Sequence, residues 1–362
     1  MTLHKVTLIP GDGIGPEITC AMRRVVEATG VSIEWELAEA GAHLLETQGT
    51  PLPQSTIDSI KRNKVAIKGP VTTPVGEGFR SINVALRKEL DLYTNLRPAF
   101  SLEGTGARYE NVDLVIVREN TEDLYAGVEF EQASEGARGL IAYCAEQGAG
   151  FIRADSGISI KPISITGTRR IVKWAFEYAV AHGRKSVCAV HKANIQKFSD
   201  GLFLRVAREV AEEYEGRVAF EDRIVDAACM GLVLNPEQFD VLVLPNLYGD
   251  IVSDLCAGMV GGLGIAPGAN IGEDYAVFEP VHGSAPKHAG KGIANPTAEL
   301  LSASLMLNHL GEFETAKRIV AAVRAVLKEG ARVTYDIKRA ITGLTEGSVG
   351  TEEYADAIIA NL

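Results

Sequence analysis

Val241-Leu-Val-Leu244-Pro-Asn246-Leu-Tyr-Gly-Asp250-Ile-Val-Ser-Asp254 is the stretch on which the fold turns. Its first four residues are uniformly apolar, the pattern of a parallel strand covered on both faces. The residues that follow open a helical pattern through Leu255 and Met259. A strand leading into a helix is the unit of an open α/β sheet, which binds ligands in the crevice beyond the carboxyl ends of its strands. Asp250 and Asp254 share one face of that helix, where like charges repel. A hard cation such as Mg²⁺ or Mn²⁺, which takes oxygen ligands, relieves such repulsion. An isolated Asp pair at this spacing reads as a solvated acidic face. Here each Asp is followed by an apolar residue, Ile251 and Leu255, and Asp226 ends another strand-like run, Arg223-Ile-Val-Asp226. We read the pair as a metal site.

Outward from this unit, strand-like runs at Val6–Ile9, Val65–Lys68, Val112–Val117 and Lys185–Val190 alternate with amphipathic patterns. The latter include Gly15–Ala28, Gly167–Ala181 and Leu202–Tyr214. Such alternation predicts a mostly parallel sheet covered by helices. The region Glu131–Ile165 differs: it is rich in glycine and ends in the alternating Ile158-Ser-Ile-Lys-Pro-Ile-Ser-Ile165. That alternation suggests an exposed hairpin covered by a partner subunit, with an ordinary edge strand as the competing reading. No internal repeat is visible.

With 362 residues, the chain is long enough for two lobes. A net charge of −11 disfavours nucleic acid and anionic membranes as partners, and no apolar run is long enough to span a bilayer. Five cysteines without CxxC spacing suggest reduced thiols and a cytoplasmic setting. Val6 opens a strand-like run with no secretory segment before it, which agrees.

Against that acidic background an arginine cluster is notable. Ser81-Ile-Asn83-Val-Ala-Leu-Arg87 puts Asn83 and Arg87 on one helical face, with Ser81 near the helix start as part of an anion site. Arg97 and Arg118 stand near strand ends, and guanidinium groups take carboxylates bidentately. Singly, each reads as a surface residue; together they suggest a substrate with several carboxylates. Lys192 and Asn194 follow directly after a strand, where a lysine can be desolvated for proton transfer. Gly11-Asp-Gly13-Ile-Gly15 lacks the spacing of the dinucleotide fingerprint, so a nicotinamide cofactor would need another cradle.

Several long strings resemble the isocitrate dehydrogenases of the β-decarboxylating dehydrogenase superfamily, which also holds isopropylmalate, homoisocitrate and tartrate dehydrogenases. They are Ile9-Pro-Gly-Asp-Gly-Ile-Gly-Pro-Glu-Ile18, Lys68-Gly-Pro-Val-Thr-Thr-Pro74, Asn246–Asp254, Gly261–Gly272 and His282-Gly-Ser-Ala-Pro286. The resemblance implies two α/β domains with a non-Rossmann cofactor site. The large domain would span 1–98 and 255–362, and the small one 99–254, with an inter-subunit clasp around 131–165. It implies a homodimer with shared active sites. Asp250 and Asp254 would bind the metal with Asp226 of the other chain, which would also supply Lys192 and Asn194.

By the same resemblance the reaction is the oxidative decarboxylation of isocitrate to 2-oxoglutarate. Lys192, with Asp226 nearby, would take the hydroxyl proton, and Tyr125 would protonate the enolate. Ser81, Asn83, Arg87, Arg97 and Arg118 would hold the carboxylates, with Tyr125, Lys192 and Asn194 also at the substrate. Ser81 and Asn83 disfavour an isopropyl group, since each polar group left unpaired costs roughly 1–3 kcal/mol. A phosphate on Ser81 would repel the substrate carboxylate. The cofactor would contact Thr73, Glu279, His282, Gly283, Ser284, Ala285, Lys287, His288, Asn295, Tyr335 and Arg339. Lys287, Tyr335 and Arg339 favour NADP over NAD, because cations suit a 2′-phosphate. His288 departs from the usual Tyr of NADP enzymes. Homoisocitrate or 3-isopropylmalate as substrate, and a non-catalytic regulatory subunit of a hetero-oligomeric dehydrogenase, are the alternatives.

Overall fold

The computed structural model describes residues 2–72 and 81–362, so Thr73 lies outside the described residues. Its strands are β1 (His4–Ile9), β2 (Ile33–Leu37), β3 (Val65–Lys68), β4 (Thr94–Phe100), β5 (Asp113–Glu119), β6 (Glu129–Phe130), β7 (Ile158–Ser159), β8 (Ser186–His191), β9 (Ala219–Ile224), β10 (Val241–Leu244), β11 (Pro267–Ile271) and β12 (Ala276–Pro280). Ten of them form one sheet in the order β2-β1-β3-β12-β11-β4-β5-β10-β8-β9. The flanks β2-β1-β3-β12 and β5-β10-β8-β9 are parallel within themselves. Antiparallel pairings of β12 with β11, β11 with β4 and β4 with β5 join them. The apolar runs β3 and β10 are buried at every residue, as strands covered on both faces must be.

Helices cover the sheet for reasons visible in their sequences. Helix Gly15–Ala28 has Pro16 in its first turn, where no backbone N–H is needed, and buries Ile18, Met22, Val25 and Val26. Each such side chain contributes about 1.5–3 kcal/mol, an upper figure because the unfolded chain already hides some surface. Helix Asn246–Val260 stops at Gly261, whose φ of 128° few other residues adopt. No helix is long and apolar enough to cross a membrane among the described residues.

The sheet is continuous across the division implied by the resemblance. The 98/99 boundary falls inside β4, and the 254/255 boundary inside helix Asn246–Val260. Two local expectations are corrected. Asp226 does not end a strand: β9 stops at Ile224 and Asp226 sits in the first turn of helix Val225–Leu234. The alternating run 158–165 is not a long hairpin either. Only Ile158–Ser159 pairs, with Glu129–Phe130, and Ser164 then caps helix Ile165–Ala181 by accepting from Gly167 N. Pro162, which has no N–H to give a ladder, separates the two.

Because β5, β10, β8 and β9 are parallel, their carboxyl ends line one edge of the sheet. Arg118, the Asn246–Asp250 turn, Lys192 and Asp226 follow one another along it. With neighbouring strands about 4.8 Å apart, Arg118 and Lys192 start roughly 10 Å from each other.

Candidate active site

Three clusters account for most of the residues singled out from the sequence. The first lies where β5 meets helix Asn246–Val260. Arg118 donates from Nε to the Asn246 carbonyl at 3.0 Å, from Nη2 to Asn246 Oδ1 at 2.8 Å, and from Nη1 to Asp250 Oδ1. The helix can come this close because residue 249 is glycine: a Cβ there would stand 2.5 Å from Arg118 Cγ. Tyr125 donates its hydroxyl to Asp250 Oδ2, and Arg118 lies over its ring at 4.9 Å. Arg97 Nη1 sits between the two aspartates, 3.1 Å from Asp254 and 3.7 Å from Asp250. The cation that their spacing calls for is, in this chain alone, a guanidinium.

Burial would raise the Asp250 carboxyl, but Arg118, the Tyr125 hydroxyl and Arg97 outweigh it and hold it below its usual value. Burial, with Arg97 and Arg87 adding to it, draws Arg118 down to about 9. Burial and then the hydrogen bond to Asp250 push the Tyr125 phenol up, so it keeps its proton near neutral pH.

The second cluster is deeper. A cavity of about 100 Å³ is lined by Lys68, Asn83, Arg87, Asn95, Arg97 and Glu279, among others. Lys68 Nζ is 2.7 Å from Glu279 Oε2, and Arg87 Nη2 is 3.7 Å from Oε1. Asn270 ties the set together, giving Nδ2 to Glu279 at 2.7 Å and taking bonds from Arg87 Nε, Asn95 and Asn120. The register aligns Asn270, Asn95 and Arg118 across β11, β4 and β5. Burial opposes charge on Glu279, yet Lys68 and Arg87 prevail and hold its carboxyl at about 2. Asn83 Oδ1 and Arg97 Nε are buried with no protein partner, as groups awaiting a polar ligand would be. Ser81 occupies the N-cap position of helix Ile82–Glu89.

Glu299, from helix Thr297–His309, is also fully buried. Thr19 Oγ1 lies 3.5 Å from its Oε1, while Oε2 has no partner. Burial raises its carboxyl to about 8, with Glu279 adding to the rise and Lys68 opposing it. Sequence reasoning assigned no role to Lys68, Asn270, Asn95 or Glu299. Lys68 carried a signal, since it closes an apolar strand as a lysine just after one was singled out at position 192.

The third cluster is on the outer edge. Lys192 Nζ is 2.6 Å from Asp226 Oδ1, and Asn194 is exposed beside them. Neither Lys192 nor Asp226 pairs with Asp250 or Asp254 within one chain. Accordingly, among the described residues no three acidic, His or Cys side chains form a metal set. Asp250 and Asp254 offer hard oxygen donors and already share one cation, so they fit part of a Mg²⁺ or Mn²⁺ site.

A fourth feature is a crevice of about 430 Å³ lined by Ile14, His282, Gly283, Ala285, His288, Asn295 and Tyr335, among others. Its floor forms because Gly13 lets the 11–15 turn reach the loop: Ile14 N donates to Ser284 O at 2.9 Å, and a Cβ on Gly13 would stand 2.0 Å from that oxygen. Ala285 holds φ 40°, rare for a residue with a side chain. The His288 and Tyr335 rings stack with centroids 5.6 Å apart. His282 Nε2 and His288 Nδ1 are buried without protein partners, which suits a polar ligand such as a dinucleotide. Lys287 and Arg339 are exposed and make no ion pair among the described residues.

Comparisons with known proteins show the family of the chain. The family model described as isocitrate/isopropylmalate dehydrogenase matches residues 5–358. The mitochondrial NAD isocitrate dehydrogenase catalytic subunit 5 of Arabidopsis thaliana is 47% identical over 98% of this chain and 88% of its own. The NADP isocitrate dehydrogenase of Archaeoglobus fulgidus is 44% identical over 97% of this chain and 91% of its own. Among solved structures, isocitrate dehydrogenase from Methylococcus capsulatus superposes with a TM-score of 0.89 at 49% identity, covering 99% of both chains.

Proposed function

The chain belongs to the isocitrate/isopropylmalate dehydrogenase family, and on that premise we propose that it oxidises and decarboxylates isocitrate to 2-oxoglutarate, with NADP preferred over NAD. One observation carries the substrate: the cavity beside Arg87 is walled by Lys68, Asn83, Asn95 and Arg97, and the buried Arg97 Nε–H at its edge lacks a partner. An isopropyl group would leave that donor unpaired at roughly 1–3 kcal/mol, whereas a carboxylate oxygen accepts from it.

Arg87, Arg97 and Arg118 orient the substrate carboxylates, the latter two exchanging their contacts with Asp250 and Asp254 for it. A Mg²⁺ or Mn²⁺ ion held by Asp250 and Asp254, with Asp226 of a second copy, would supply Lewis acidity at the 2-hydroxyl and the adjacent carboxylate. NADP in the crevice would supply the hydride acceptor. The hydroxyl proton leaves through the Lys192–Asp226 pair: Lys192 accepts it as its own proton passes to Asp226, 2.6 Å away, and on to solvent. Tyr125, which stays protonated and is aimed by Asp250, returns a proton to carbon after carbon dioxide departs.

Support for a homodimer with shared sites comes from helix Val225–Leu234. It is apolar all round, exposes Met230, Val233 and Leu234, and carries Asp226 in its first turn; nearby Ile251 is exposed as well. An apolar face of this kind needs cover, and a second copy would bring Asp226 and Lys192 with it. Support for NADP comes from the uncommitted Lys287 and Arg339 beside the stacked His288 and Tyr335. The free thiols at Cys20, Cys144, Cys188, Cys229 and Cys256 are compatible with a cytoplasmic setting.

The test is absorbance of the reduced nicotinamide with isocitrate and Mn²⁺, comparing NADP with NAD, with and without a chelator. Fast, chelator-sensitive reduction of NADP is expected. Reduction of NAD alone would keep the reaction and overturn the cofactor preference. No reduction of either, with turnover of homoisocitrate or 3-isopropylmalate instead, would overturn the substrate.

A further inference from the structure

Lys161 lies in the loop between β7 and helix Ile165–Ala181, with its ammonium turned inward. Nζ is 2.7 Å from Asp200 Oδ1, 2.7 Å from Gln196 Oε1 and 3.8 Å from Asp123 Oδ1, and it lies 4.4 Å from the centre of the Tyr248 ring. Asp123 and Asp200 are completely buried. Each spends its second oxygen on a backbone amide of an active-site segment. Asp200 Oδ2 accepts from Lys192 N at 2.7 Å, and Asp123 Oδ2 accepts from Leu247 N at 2.8 Å.

These amides belong to different clusters. Leu247 opens the helix that presents Asp250 and Asp254, and Asp123 stands two residues before Tyr125. Asp123 adopts φ 63°, which few residues with side chains tolerate, and its own N donates to Pro162 O at 3.0 Å. Lys192 carries the ammonium paired with Asp226. A single largely buried cation therefore lies between the two carboxylates that fix the Tyr125–Asp250 turn and the Lys192 loop, and offsets one of their two charges. Without it, two buried negative charges would face each other with no counter-charge between them.

Resting on the proposed reaction, we propose that Lys161 is a positioning residue that holds the proton-accepting Lys192 and the proton-donating Tyr125 in register with one another. Lys161 touches neither substrate nor cofactor in this reading. If Lys192 serves the second copy's site, the same link joins the two sites of a dimer.

The experiment compares Lys161→Met and Lys161→Arg with the parent dimer by steady-state kinetics, isocitrate binding and amide hydrogen exchange. In Lys161→Met, exchange at the Leu247 and Lys192 amides rises together by at least tenfold, while helix Thr297–His309 is unchanged. The kcat falls by about 10–100-fold, and isocitrate affinity stays within about threefold because Asn83 and Arg87 are untouched. Lys161→Arg, which keeps the charge, restores protection and part of kcat, and serves if the Met variant fails to fold. Unchanged exchange at both amides overturns the proposal, as does faster exchange with full kcat. A parent enzyme inactive on isocitrate would refute the reaction instead, and the exchange pattern would still decide the link.

Discussion

Two lysine–carboxylate pairs in this molecule have almost the same length and opposite physical character. Lys68–Glu279 spans 2.7 Å with side chains 1% and 9% exposed, and Lys192–Asp226 spans 2.6 Å with side chains 25% and 70% exposed. The inner pair has no water to fall back on, so each charge depends on the other, on Arg87 and on Asn270. Within one chain the outer pair is screened and can come apart at little cost, which suits a proton acceptor. Distance alone does not separate a structural ion pair from a chemical one; burial does.

That contrast can be broken in several ways. Lys192→Met is expected to lower kcat by about 10²–10⁴-fold while leaving the thermal midpoint within about 2 °C. A large fall in the midpoint would make the outer pair structural. Glu279→Gln, which strands Lys68 and Arg87, is expected to cost about 3–5 kcal/mol in denaturant unfolding, and a loss below about 1 kcal/mol would show the inner pair to be effectively solvated. Acid sharpens the same point. Glu279 titrates at about 2 when folded against a usual 4.5, so its contribution of about 3 kcal/mol is complete above pH 4.5 and fades as pH falls toward 2. Glu279→Gln should flatten that acid limb; an unchanged slope would assign it to other carboxylates. The smallest effect concerns the crevice. Lys287→Asp is expected to erode an NADP preference of about tenfold, or roughly 1.4 kcal/mol, and an unchanged ratio of the two cofactors' kcat/KM would remove Lys287 from cofactor choice.

The contrast also marks what the sequence could convey. Buried strands announce themselves because both faces are apolar, and β1, β3, β8 and β10 lie within a residue or two of where the apolar runs put them. Tyr125, Arg97, Arg118, Asp250 and Asp254 do converge, since strand ends and helix starts gather residues at one edge. The inner network was hidden because Lys68 and Glu279 are far apart in sequence and look like ordinary charges until the sheet order places β3 beside β12. Around Ile158 the alternating pattern was real, but a proline and a serine cap two residues later converted its end to helix. Asp226 shifted from strand to helix because Val225 suits either and only the neighbouring strand's length decides.

Glu299 adds a consequence of another kind. Its carboxyl titrates at about 8 inside the fold against a usual 4.5, so near pH 7 the native chain holds a proton that the unfolded chain does not. Unfolding then releases close to one proton from this residue, and its share of stability declines as pH rises from 4.5 toward 8. Glu279, twenty positions earlier, has the opposite slope. The released proton lands on the buffer. The heat of unfolding recorded in an amine buffer, which binds protons exothermically, should therefore differ from that in phosphate by the difference in the buffers' ionisation heats, and Glu299→Gln should make the two agree more closely.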